Sequence, residues 1–216
     1  MATKTTKKPT AKTLIDAYIK SLLIHGERPK SVFAFADEFG MSESEFYNFF
    51  SSFESLEEAV WKGFMEDTLK AIQKDANYAG FTAREKLLAF YFTHLEVLRE
   101  NRSYVVMRWP EVKKSPKSPV WLKHYKEMYY EYVREVIAEG MEGGEIKDRK
   151  YLSERYDKAL WVQLVFVVDY WCNDTSKDFE NSDAAIEKAV TLSFQLLGES
   201  ALDNALDFAK FIWQSK

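Results

Sequence analysis

The chain has 216 residues, 46% of them apolar, and 16% aromatic through 16 Phe, 12 Tyr and 6 Trp. That length and composition support one domain of ordinary size or a small domain joined to a larger one. Its net charge of −4 hides an asymmetry: residues 1–12 hold four lysines and no acid, which leaves −8 on the remainder. The single cysteine, Cys172, excludes an internal disulfide and a cysteine-rich zinc site. The N-terminus lacks the apolar core of a secretory signal, and the longest apolar run, residues 160–168, is too short for a bilayer. The expected compartment is the cytosol, with no membrane partner.

Taken in chain order, residues 1–12 form a basic arm expected to be disordered. Such an arm suits either nucleic-acid contact or simple solubility. From residue 13, Leu14, Ile15, Tyr18, Ile19, Leu22 and Leu23 repeat at the helical period, and Gly26 stops the helix. Ser31 is placed to cap a short second helix, Gly40 to make a turn, and Ser42 to open a third helix with a capping box to Glu45. A fourth helix is predicted to about residue 76. Thr82 and Glu85 form the next capping box. A short piece at 102–109 follows, then a stretch with Pro110, Pro116 and Pro119 read as a loop. Three long helical patterns cover about 120–140, 151–173 and 183–197. Gly198 breaks the last, and residues 199–216 resume a helical pattern with Leu202, Leu206 and Ile212. The predicted fold is all-α, with about ten helices.

The spacing of Ala36, Gly40 and Phe46 has the packing logic of a helix-turn-helix. A small residue sits where two helices cross, a glycine turns the chain, and an aromatic anchors the second helix. The stretches "LLIHGERPKS" and "GMSESEFYNFFSSFESLEEAV" resemble the TetR family of bacterial repressors, over about residues 13–62. The segment "VVDYWCNDTSKDFENSDAAIEKAV" is similar to a late helix junction in some members. The resemblance implies a DNA-binding domain at 13–62 and a C-terminal effector-binding and dimerisation domain at 63–216. It implies a homodimer, a palindromic duplex operator, and a small effector that releases it. No cofactor or metal is implied.

Two positions depart from the family. Glu45 stands where a Thr is common, and Phe53 where a Lys grips a phosphate. Residues 31–61 hold seven acids and no Lys or Arg, whereas affinity for duplex DNA comes largely from cations. Lys30, Ser31, Ser42, Ser44, Tyr47 and Asn48 are the candidate DNA contacts, by hydroxyl, amide and one ammonium. Glu45 has two readings, a helix cap or a reader of cytosine N4. For Phe53 the alternatives are packing against the first helix or exposure; on the family pattern, Phe53→Lys would restore a phosphate contact.

Beyond residue 80 the crowded rings suggest both core and an apolar effector site. The candidate ligand contacts are His94, Tyr104, Arg108, Trp109, Tyr125, Tyr129 and Phe166, placed between helices at about 82–110 and 120–173. The candidate dimer contacts are Leu160, Trp161, Leu164, Val168 and Trp171. No histidine pair, phosphate loop or nucleophile elbow is present in the sequence, so an enzyme is not expected. The competing function is a TetR-fold ligand-binding or protein-interaction module that has lost DNA binding.

Overall fold

The computed structural model describes residues 9–114, 118–150, 152–198 and 211–212. Most of the basic arm and nearly all of the segment after Gly198 therefore lie outside the described residues. Ten α-helices and short 3₁₀ turns make up the described chain, with no strand among these residues. Residues group into two compact units, 1–64 with 101–125, and 65–100 with 126–216.

In the first unit, α1 (Ala11–His25) starts at a Thr10–Thr13 capping box and ends at Gly26, whose φ of 74° suits glycine. Next, α2 (Val32–Glu38) is capped by Ser31, whose hydroxyl accepts from the Ala34 amide. Gly40 turns the chain at φ 65°, and α3 (Glu43–Tyr47) opens on the Ser42–Glu45 capping box. These helices of seven and five residues are too short to persist alone. Burial holds them: Phe35, Phe46 and Tyr18 are wholly buried, and their rings meet Phe53 at 5.7, 5.6 and 5.4 Å between centroids.

Phe53 is therefore a core residue at the start of α4 (Phe53–Ile72), stacked on Tyr18 of α1. Of the two alternatives the sequence left open for Phe53, packing against the first helix is the one the structure shows. Aromatic area is what closes this small core, so the position is filled from inside.

The division of the chain also differs from the sequence-based boundaries. The segment 101–125 joins the first unit because its rings gather on Trp61 of α4. Tyr104 of α6 (Arg102–Arg108), Trp109, Trp121 and Tyr125 lie 5.2 to 6.0 Å from Trp61, all essentially without exposure. Pro110 does not sit in a loop: it opens the short helix α7 (Pro110–Lys114). Proline suits a first helical position, where no amide donor is required.

The second unit packs α5 (Ala83–Arg99), the greater part of α8 (Lys123–Glu142), α9 (Tyr156–Asn173) and α10 (Glu180–Leu197). Its centre is a tyrosine layer whose hydroxyls find partners. Tyr91 and Tyr129 meet at 3.0 Å, Tyr129 donates to the Leu160 carbonyl, and Tyr132 donates to that of Lys86. Phe90 stacks on Tyr132 and on His94. The end of α10 is held by Arg149, whose guanidinium donates to the carbonyls of Leu196, Leu197 and Gly198. No helix among the described residues is long and apolar enough to cross a membrane.

The placement of Phe53 gives a direct expectation. Phe53→Lys should lower stability by about 3 kcal/mol, as loss of a buried ring does. Chemical denaturation measures this; an unchanged midpoint would contradict the core assignment.

Candidate functional site

The candidate DNA contacts gather on the head formed by α1 to α3. Lys30, Ser31, Ser42, Ser44, Tyr47 and Asn48 are all exposed. Several are already engaged locally. The Ser42 hydroxyl accepts from the Glu45 amide while the Glu45 carboxylate accepts from the Ser42 amide at 2.7 Å. These bonds hold the Glu45 carboxyl below its ordinary range. The structure thus shows Glu45 in its capping role. Tyr47 donates its hydroxyl to Glu43 at 3.3 Å. Lys30 makes no ion pair among the described residues.

Beneath this surface lies an ionic centre that sequence reading missed. Glu57 of α4 is fully buried. Its Oε1 accepts from the Tyr18 hydroxyl at 2.5 Å. Its Oε2 accepts from Arg28 at 3.0 Å and from Arg108 at 2.9 Å. Arg28 also binds Glu54, and Arg108 also binds Glu111 at 2.5 Å. A buried carboxylate needs partners of this strength. Burial, and then the Glu57 charge, drive the Tyr18 hydroxyl well above its usual range. The only signal in the sequence was a charged residue within the apolar period of α4.

The candidate ligand contacts are divided between the two units. Tyr104, Arg108, Trp109 and Tyr125 belong to the first unit; His94, Tyr129 and Phe166 belong to the second. Arg108 is an ion-pair residue, turned to Glu57 and Glu111. Tyr104, Trp109 and Tyr125 are packed around Trp61. Trp109 Nε1 is buried without a hydrogen-bond partner. His94 is a core residue, with Nδ1 at 2.8 Å from the Thr68 hydroxyl. Phe166 is 48% exposed.

The dimer candidates are corrected. Leu160, Trp161, Leu164, Val168 and Trp171 are all buried within the chain's own second unit. They occupy the inner stripe of α9, so they are spent on intrachain packing. The outer stripe, Ala159, Val162, Phe166 and Tyr170, faces away. With Ala184, Ala185, Lys188, Ala189 and Leu192 of α10 it lines an open groove of about 670 Å³. Val162, Phe166, Tyr170, Leu192 and Leu196 are exposed large apolar groups there or beside it. α9 is apolar on both sides, and the period alone does not say which side faces in.

Residues 86–212, more than half of the chain, match the family described as tetracyclin repressor-like, C-terminal domain, and the chain belongs to this TetR family. Solved structures share the fold. FadR, a fatty acid degradation regulator of Bacillus halodurans, is 19% identical, with 88% of this chain and 96% of that one covered at a TM-score of 0.65. A tetR family transcription regulator of Shewanella sp. PV-4 is 16% identical, with 88% and 98% covered at 0.62. FadR of Bacillus subtilis, solved with stearoyl-CoA, is 21% identical, with 84% and 98% covered at 0.61. A comparison with curated protein sequences finds no match.

The buried His94 predicts a pH response. Burial pushes its pKa from 6.5 down to about 3. Between those values the unfolded chain binds more protons than the folded one, so stability falls as pH falls through that window. Lowering pH from 7 to 5 should remove about 2 kcal/mol through this group. Denaturant titrations at both pH values should show that slope in the wild type and its loss in His94→Gln.

Proposed function

We propose that this protein is a dimeric DNA-binding transcriptional regulator, released from its operator by a small apolar or aromatic effector. The observation that carries the reading is the head. Two short helices are held at a glycine turn by a ring core, and α3 presents Ser44, Tyr47 and Asn48 to solvent. Ser31 and Ser42 sit at helix starts, where hydroxyl and amide groups suit phosphate oxygens. Membership of the TetR family supports the role. The stearoyl-CoA bound to the Bacillus subtilis relative supports an apolar effector. An effector contact is proposed for Trp109 of the first unit. The unpartnered Trp109 N–H offers a ligand a buried donor.

The second copy is proposed to cover the α9–α10 groove. An exposed apolar stripe on two adjacent helices suits a self-complementary helical pairing. Its four alanines allow close approach of partner helices, and among the described residues Lys188 is the one charged side chain that lines it.

One observation favours a second reading, a TetR-fold module that no longer reads DNA. The Tyr47 hydroxyl is turned to Glu43, and Arg28 is bound by Glu54 and Glu57. The head therefore presents acid where phosphate would lie. Selection of bound sequences from a random duplex pool at low salt separates the two. Enrichment of a palindrome is expected; recovery of no duplex would replace the regulator reading with the module.

The groove is tested separately. Phe166→Asp should yield a folded monomer by light scattering, with far-ultraviolet dichroism retained, because an unpaired buried charge opposes pairing by about 3 kcal/mol. Leu164→Asp, placed in the inner stripe, should instead unfold the chain.

A further inference from the structure

The head lacks cations within residues 31–61, yet a guanidinium stands three residues before Ser31. Arg28 lies in the link between α1 and α2, and its side chain is 34% exposed. Both of its described ion partners are acids of α4: Glu54, which is itself half exposed, and Glu57, which is fully buried. The Glu57 oxygen that receives Arg28 also receives Arg108. Arg108 ends α6 and lies over the Trp121 ring, with its centre 5.4 Å from the ring centroid.

We infer that Arg28 is a phosphate-contacting residue held in reserve by Glu57, and that Arg108 sets how firmly it is held. The inference rests on the DNA-binding reading. Arginine does not lose its proton in proteins, so the charge is always present; what varies is its competitor. Two guanidiniums on one oxygen share its lone pairs and its field, so each is bound less firmly than one alone. While α6 keeps Arg108 on Glu57, Arg28 needs to give up less to reach a phosphate. Withdrawal of α6 returns the whole carboxylate to Arg28 and takes that cation from the DNA. The position of α6 thereby becomes the setting for the head's charge. Arg28 lies beside Lys30 and Ser31, so its release adds to the same edge of the head.

The test is the salt dependence of binding to a random duplex of fixed length, with the full chain. Wild type, Glu57→Gln, Arg28→Gln, Arg108→Gln and the Arg28→Gln/Glu57→Gln pair are compared. Each phosphate contact adds about 0.9 to the slope of log affinity against log salt, or about 3.5-fold over a fourfold rise in salt. Glu57→Gln keeps an acceptor for Tyr18 and should steepen the slope by about that amount. The steepening should vanish in the paired variant. Arg108→Gln should bind more weakly than wild type without a steeper slope. A general loss of packing does not steepen a salt slope. If Glu57→Gln melts, Glu54→Gln, whose side chain is on the rim, should steepen the slope in its place. Wild-type binding with no steepening in either folded acid variant overturns the inference alone. Steepening that survives in the paired variant also overturns it, because charge removal would then suffice without Arg28. Absence of binding by every variant at low salt overturns it together with the DNA-binding reading.

Discussion

The first unit is organised around the charge on one buried side chain. Glu57 gives up its water on entering the protein, and among the described residues Tyr18, Arg28 and Arg108 replace it. Those three come from α1, the α1–α2 link that follows it, and α6, each at least 29 residues from Glu57 in sequence. A carboxylate in low dielectric that lost one guanidinium would keep the other, but at a cost in stability. The requirement therefore fixes three chain segments to α4 at once. The ring cluster on Trp61 and the smaller one on Phe53 fill the space on either side of this centre. Apolar packing supplies most of the folding energy, but it is not directional. The ionic centre supplies direction.

Local rules made the head legible in sequence. Ser31, Ser42 and Thr82 cap helices as their spacing indicated, and Gly26 and Gly40 take positive φ where the chain turns. Each of those signals acts within four residues. What sequence did not resolve depends on partners at long range. Phe53 reads equally well as surface or core until Tyr18 and Phe35 are seen against it. The partners of Glu57 lie 29, 39 and 51 residues away. Pro110 reads as a loop residue until the end of α6 at Trp109 shows it to be the first residue of a new helix.

The α9 helix shows a different limit. Both of its faces are apolar, so periodicity identifies a helix with two packing surfaces but cannot rank them. Trp161 and Trp171 drew attention to one stripe by size, and that stripe is the intrachain one. The outer stripe is made of Val162, Phe166 and Tyr170, matched on α10 by alanines. Small residues carry little hydrophobic signal in a sequence, yet they decide where two helices can come close.

The capping box of α3 has a consequence for how this head can change over generations. Glu45 contributes negative charge to the head, and the same carboxylate secures the Ser42 amide at the start of a five-residue helix. Removing the charge there shortens the element that carries Tyr47 and the anchor Phe46. Arg28 is likewise tied to the burial of Glu57. Acidity in this head is thus a by-product of its fold, and selection for tighter anion contact meets resistance at Glu45 and Glu57. The open route runs through Asn48 and Ser51, exposed positions whose side chains start no helix. New cations are easier to acquire there than old carboxylates are to discard.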